Sequence, residues 1–152
     1  MKKVRHNRFL YYLIPITVSV IITTIGYFFM NGIPLFGVPK IEDVSYVEIS
    51  NTRLDTNARK LTEIEDIKKA INLTNFLSYK LGAPEKKEAL IKFVFHLKDG
   101  SSFVISSNEK TVYSNGKAYS LKANKGTTFI KVTEGIFFFD DLVEKEKAKQ
   151  VF

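Results

Sequence analysis

The chain has 152 residues, 45% of them hydrophobic and 13% aromatic, which supplies one domain with a core and excludes a disordered or collagen-like chain. It has no cysteine, so disulfides, thiolate nucleophiles and Cys-based metal sites are all excluded. The formal charge is +7, but Lys2, Lys3, Arg5 and Arg8 precede the first acidic residue, Glu42, and the nineteen remaining Lys and Arg face sixteen Asp and Glu, so the basicity is largely a property of the tail.

Residues 1–8 therefore read as a basic cytoplasmic tail. Residues 9–30 are 22 consecutive uncharged positions, FLYYLIPITVSVIITTIGYFFM. As a helix rising about 1.5 Å per residue they cross a hydrocarbon core of about 30 Å. Tyr11 and Tyr12 stand near one end, and Tyr27, Phe28 and Phe29 near the other, where rings favour the headgroup region. Near a membrane-helix end, Pro15 is tolerated because the freed backbone groups are satisfied locally. The competing reading is a cleaved secretory signal, with Thr24-Ile25-Gly26 as a small-x-small site. Retention as a signal-anchor is favoured because the apolar run outlasts the about 7–15 residues of a usual signal core and continues through Tyr27-Phe28-Phe29 past the candidate site. Four Lys and Arg precede the segment and only Lys40 lies in the twenty residues after it, so the N-terminus is inside and the rest outside: a single-pass protein of the cell membrane. Nineteen Lys against four Arg, with many Ile and Asn, is the bias of an AT-rich bacterial coding sequence.

Residues 31–40, NGIPLFGVPK, carry two Gly and two Pro, which deny them regular structure and make a short stalk. An extracytoplasmic α+β domain over residues 41–139 follows. Residues 43–50 alternate as a first strand. Thr62 and Glu65 have capping-box spacing, and Ile64, Ile67, Ala70, Ile71, Thr74 and Leu77 recur at helical intervals, predicting an amphipathic helix over 63–78 ended by Gly82 and Pro84.

An antiparallel meander over 89–98, 102–107, 110–114 and 117–121 comes next, with Asp99-Gly100 and Asn115-Gly116 as hairpin signals. A three-residue loop at 98–100 pairs Phe95 with Phe103 and Phe93 with Ile105. Two-residue turns at Asn108-Glu109 and Asn115-Gly116 then set Val112 opposite Ile105 and Tyr119 opposite Val112. One face thus gathers Phe93, Phe95, Phe103, Ile105, Val112 and Tyr119 for the helix to cover. Residues 133–147 predict a C-terminal helix weakened by Gly135, although one helical stripe cannot bury Phe137, Phe138 and Phe139 together. These rings belong to a strand, to the membrane or a partner, or to a cover over the other sheet face. The charged tail of residues 140–152 reads as a solvated terminus.

Catalytic parts are scarce. His6 falls in the tail, and His96 alternates away from the aromatic core toward solvent or a partner, so no Ser-His-Asp set assembles from these residues. Asp140-Asp141 and Glu63/Glu65/Asp66 are the tightest acidic clusters, but the macrodipole explains acidic residues at helix starts without a metal. No HExxH, P-loop, GxGxxG or EF-hand spacing occurs. The chain therefore reads as not an enzyme, with no catalytic, cofactor-binding or metal residues and no cofactor. Lys117, Lys122, Lys125 and Lys131 form a loose basic stretch, read as general solubility or attraction to anionic envelope polymers rather than to nucleic acid. Asn72-Leu73-Thr74 is a glycosylation sequon of no weight on a bacterial helix. The sheet face opposite the aromatic core would show Lys92, Val94, His96, Ser102, Val104, Thr111, Tyr113 and Ala118. Of these, Lys92, Val94, His96, Val104 and Tyr113 are the candidate partner-binding residues.

The stretches VPKIEDVSYVEI, AINLTNFLSYK, IKFVFHLKDGSSFVIS, VYSNGKAYSL and VTEGIFF cover most of residues 38–139. They resemble small signal-anchored envelope proteins of Gram-positive bacteria that carry one domain of unknown function. The resemblance implies location and fold, and carries no functional residue. Together these readings predict a non-enzymatic interaction module at the cell envelope, binding a protein, a peptide or a wall polymer. The alternatives are an accessory or regulatory subunit acting through Thr17, Ser19, Thr23 and Thr24 of its membrane helix, a secreted binder released by cleavage, and a hydrolase using Asp140 and Asp141.

Overall fold

The structure, a computed structural model, describes residues 8–54 and 57–150 and divides after Gly32 into two units. The first is helix α1, Arg8–Asn31, with Pro15 inside it. Its stretch Tyr11–Asn31 has a mean hydropathy of 2.0 and is long and apolar enough to cross a membrane. The hydroxyls of Thr17, Thr23 and Thr24 donate to the carbonyls of Leu13, Ser19 and Val20 four residues earlier, so the helix satisfies its own polar side chains at these positions. The tail residues Lys2, Lys3, Arg5 and His6 lie outside the described residues.

The second unit is α+β. Its eight strands are β1 Ile33–Pro34, β2 Val44–Asn51, β3 Arg59–Leu61, β4 Ser78–Lys80, β5 Ile91–Leu97, β6 Ser102–Ser107, β7 Thr111–Ser114 and β8 Lys117–Leu121. They form one antiparallel sheet in the order β1-β4-β8-β7-β6-β5-β2-β3, so β5 to β8 are the meander and β2 lies beside β5. Helix α2, Ile64–Phe76, precedes β4, and α3, Lys125–Phe137, and α4, Phe139–Gln150, close the chain.

The 98–100 loop sets Phe95 opposite Phe103 and Phe93 opposite Ile105, with Gly100 at φ +86, a left-handed position that favours glycine. The Asn115-Gly116 turn sets Val112 opposite Tyr119. Between them the expectation needs correction. Ser107, not Ile105, faces Val112, and Ile105 faces Ser114. The loop is longer than two residues because the Asn108 carboxamide organises it: Oδ1 accepts from the amides of Lys110 and Thr111 at 2.9 and 2.8 Å, and the Asn108 amide donates to the Thr111 carbonyl. The displacement is two residues, an even number, so every side chain keeps its face.

Phe93, Phe95, Phe103, Ile105 and Val112 accordingly lie in one core with Val47 and Ile49, and Tyr119 packs against it. Two helices cover this inner face where one was expected. From α2 come Ile67, Ala70, Ile71 and Leu73, while Ile64 points out and is 70% exposed. From α3 come Phe129 and Phe137, whose rings meet Phe93 edge-on at 5.6 and 6.3 Å. The Thr62 capping box does not form. Glu63 is the N-cap and makes no side-chain bond, so the start of α2 is left to the favourable charges of Glu65 and Asp66.

The C-terminal rings resolve through a break. Helix α3 begins eight residues earlier than expected and stops at Phe137, and Phe138 leaves helical geometry at φ −131, ψ 22. Phe137 and Phe138 are then both buried and Phe139 is 62% exposed. Glycine at 126 allows α3 to start against the β6–β7 loop, because a Cβ there would lie 2.2 Å from the Glu109 carbonyl oxygen. The tail is not wholly free of the domain. Asp141 accepts from Arg59 at 2.6 Å and Lys145 donates to the Arg53 carbonyl at 2.6 Å.

The stalk is also corrected. Ile33 and Pro34 pair with Tyr79 and Ser78 of β4, and Leu35 is buried in the core with Val38 packed on it. Proline is acceptable in β1 because that strand is the edge of the sheet. Only Gly32 separates it from α1.

Candidate outer-face interaction site

Alternation along the strands that buries the aromatic residues sends their neighbours to the outer face. The pairing registers place them in rows. His96 lies between Tyr46 and Ser102, Val94 between Glu48 and Val104, and Lys92 between Ser50 and Ser106, with Tyr113 next beyond Ser106. Lys60 of β3 stands opposite Glu48. Four of the five expected site residues, Lys92, Val94, His96 and Val104, thus share the β5–β6 part of one face. Lys92 is exposed, and the other three are partly covered.

His96 is embedded more deeply than an exposed strand histidine. Its ring stacks on Tyr46 with centroids 4.2 Å apart and planes 14° apart. Its Nε2 lies 3.5 Å from Oε2 of Glu48, close enough for attraction, but is covered and makes no hydrogen bond. Lys60 Nζ sits 3.9 Å from the centre of the Tyr46 ring. Tyr46, Glu48 and Lys60 were missing from the sequence-based site. Tyr46 and Glu48 alternate with Val47 and Ile49, so their face is readable, but their nearness to His96 requires knowing that β2 joins β5.

Tyr113 belongs to a different environment. The chain between β4 and β5 folds over its end of the face: the Tyr113 hydroxyl accepts from the Lys87 amide at 3.2 Å and donates to the Lys87 carbonyl. Thr111 Oγ1 donates to the Glu85 carbonyl at 2.6 Å, and Asn108 Nδ2 to the Lys87 carbonyl at 3.1 Å. Ion pairs to Lys87 and Lys110 at 2.7 and 3.1 Å hold the Glu85 carboxyl below its ordinary pKa, and Glu85 in turn raises that of Lys87. The C-terminal phenylalanines do not cover this face, since Phe137 packs on the inner one. The β2–β5–β6 portion is left half-exposed, displaying aromatic, aliphatic, cationic and anionic groups together.

The remaining candidates have structural partners. Asp66 bonds Lys69 at 2.8 Å, which raises the lysine's pKa, and Asp141 bonds Arg59, whose guanidinium also lies over the Phe138 ring at 5.2 Å. Of the basic stretch, Lys125 Nζ stands 3.7 Å from the centre of the Phe76 ring, and Lys122 lines a cleft with Lys80, Lys110, Glu85 and Glu109, where the signs are mixed. Glu134, which the sequence did not single out, is a carboxylate only 2% exposed on α3, held by Asn51 Nδ2 at 2.9 Å and by Arg53. Its partners lie 83 and 81 residues away along the chain, beyond the reach of local pattern. An apolar groove of about 260 Å³ between α2 and α3 is lined by Leu73, Phe76, Val132 and Ile136. Among the described residues, no three His, Asp or Glu come together as a metal site.

Protein-family models, curated proteins and solved structures offer no match to this chain. The outer face presents aromatic, aliphatic and charged groups together, with His96 Nε2 covered and without a hydrogen-bond partner.

Proposed function

We propose that this chain is a single-pass, signal-anchored membrane protein whose C-terminal domain lies outside the cell and acts as a non-enzymatic interaction module of the bacterial envelope. The observation that carries the reading is an apolar helix of 24 residues joined through one residue to a folded domain with a half-exposed sheet face. The distribution of charge about the helix supports an inside N-terminus. The resemblance of residues 38–139 to small anchored envelope proteins supports the same location. The contact face is the patch of Lys92, Val94, His96 and Val104 with Tyr46, Glu48 and Lys60, and its partner is an envelope protein, a peptide or a wall polymer.

The test begins with cells expressing the full chain with a C-terminal tag. Full mass in the membrane fraction and digestion of the tag by external protease are the expected results. Release at a mass beginning near residue 27 would replace the anchored module by a secreted binder, and a tag protected in intact cells would reverse the orientation. Cross-linking on the cell surface then compares the native chain with a Val94→Asp/Val104→Asp variant. Loss of the captured partner with the protein still folded is expected. Undiminished capture would remove the face from the proposal.

A further inference from the structure

Helices α2 and α3 close the inner face of the sheet but leave a groove between them, walled by Leu73 and Phe76 of α2 and by Phe129, Val132 and Ile136 of α3. Leu73 and Phe129 are buried, whereas Phe76, Val132 and Ile136 remain 37, 40 and 43% exposed. Thr128, Val132 and Ile136 recur at helical spacing, so one stripe of α3 makes a straight wall of about 12 Å at about 1.5 Å per residue. The polar groups in the lining are Lys69, Asn72 and Thr128, and Lys69 is engaged by Asp66 at 2.8 Å. Lys125 stands one turn before Thr128 and Phe129 on the same stripe, with Nζ 3.7 Å from the centre of the Phe76 ring. None of the ion pairs among the described residues includes it. The first turn of α3 holds no acidic residue, and the positive end of its dipole lies there too. The groove is thus apolar along its length and cationic at one end.

Size and charge together select the occupant. Eight residues line the groove, against about 20–30 a side in a stable protein–protein interface. A partner helix, about 10–12 Å across, would fill on the order of 1,000 Å³ over the same length, whereas the groove holds about 260 Å³. A single alkyl chain fits. An extended chain gains about 1.2 Å per bond, judged from the about 3.5 Å spanned by the three bonds of one residue, so about ten carbons run the length of the wall. Such a chain takes the exposed edges of Phe76, Val132 and Ile136 out of water, and a negative head beside Lys125 supplies a counter-charge to the cation. We infer that the α2–α3 groove binds a single-chain anionic amphiphile, a fatty acid of about ten carbons, with its carboxylate at Lys125 and its tail toward Ile136. The groove lies on the other side of the sheet from the β5–β6 contact face, so both can be occupied at once.

The probe is decanoic acid with a diazirine at the end of its chain, which on irradiation loses nitrogen and leaves a carbene that inserts into the nearest bond. Full-length protein in phosphatidylcholine nanodiscs is irradiated with it, and the adducts are placed by mass spectrometry of peptides. Adducts on α1 report probe dissolved in the lipid and serve as the internal measure of labelling. Expected in the domain are adducts confined to the groove walls about Val132 and Ile136, suppressed by excess decanoate and not by excess decyltrimethylammonium. Lys125→Glu is expected to lower groove labelling relative to α1 by about tenfold or more, the worth of one charge-assisted contact, while Lys125→Arg retains it. Val132→Asp, at an exposed position, is expected to abolish it with the circular dichroism unchanged. Labelling of α1 with none in the groove overturns the site, and adducts scattered evenly over the domain overturn it as well. Equal competition by the cationic amphiphile, or undiminished groove labelling in Lys125→Glu, overturns the assignment of an anionic head to Lys125.

Discussion

The same strands present two unlike surfaces. Phe93, on β5, is fully buried and meets the rings of Phe95, Phe129 and Phe137, whereas its neighbour Val94 faces outward between Glu48 and Val104 and remains partly exposed. The inner face is closed by α2 and α3, and among the described residues the 85–88 segment covers the outer face at Thr111 and Tyr113. The buried core is thereby confined to one side of the sheet, and the proposed contact face is the other. On that proposal, outer substitutions would alter binding while the fold persists, and inner ones would not.

The sharpest test of that division is a pair of adjacent truncations. Phe93→Ala removes a fully buried ring from a three-sided aromatic contact and should cost about 3–5 kcal/mol in chemical denaturation, enough to unfold a marginal domain. Val94→Ala, one residue away, should cost about 1 kcal/mol or less. Equal costs would erase the distinction. The boundary of the open face is tested by Asn108→Ala. Its carboxamide bonds the Lys110 and Thr111 amides and the Lys87 carbonyl, so its loss should cost about 1–3 kcal/mol. Faster hydrogen exchange at Lys110 and Thr111 should accompany that loss. The smallest effect belongs to the hairpin rim. Asp99 accepts from the Ser101 hydroxyl and amide, the hydroxyl first in importance, and both hold its carboxyl below the usual 3.8. A folded value below the unfolded one means that its contribution is present above the unfolded value and is lost as pH falls through the folded one. An NMR titration should place Asp99 below 3.8, and in Ser101→Ala it should move back toward that value. An unchanged titration would show that the hydroxyl is idle.

Long strands with clean alternation were legible. The hairpin at 98–100 follows because only a three-residue loop puts Phe103 on the side of Phe95. The slipped register at 107–112 was not, because the carboxamide of Asn108 decides it and a shift of two residues leaves the apolar pattern unchanged. Strands β3 and β4, three residues each, are too short to show a period and exist through their neighbours. Helix α3 hid behind two glycines and three threonines, and its break at Phe138 is a tertiary solution to burying consecutive rings. Of the candidate site, the β5 and β6 members were readable by alternation. The Tyr46–His96 stack needed the strand order, and the covering of Tyr113 needed the path of a loop with no pattern of its own.

The short pairing of β1 also has a mechanical consequence. On the anchored reading proposed above, a pull between the membrane and a partner would enter the domain at Ile33, in its shortest strand, where two residue pairs join β1 to β4. Withdrawing β1 together with Leu35 and Val38 would release residues 33–40 before the 3-10 turn Ile41–Asp43 and β2 are reached. Those eight residues extend to about 28 Å at about 3.5 Å each. The segment that composition marks as a spacer is thus stored in the fold as slack, and tension, rather than a ligand, is what would pay it out.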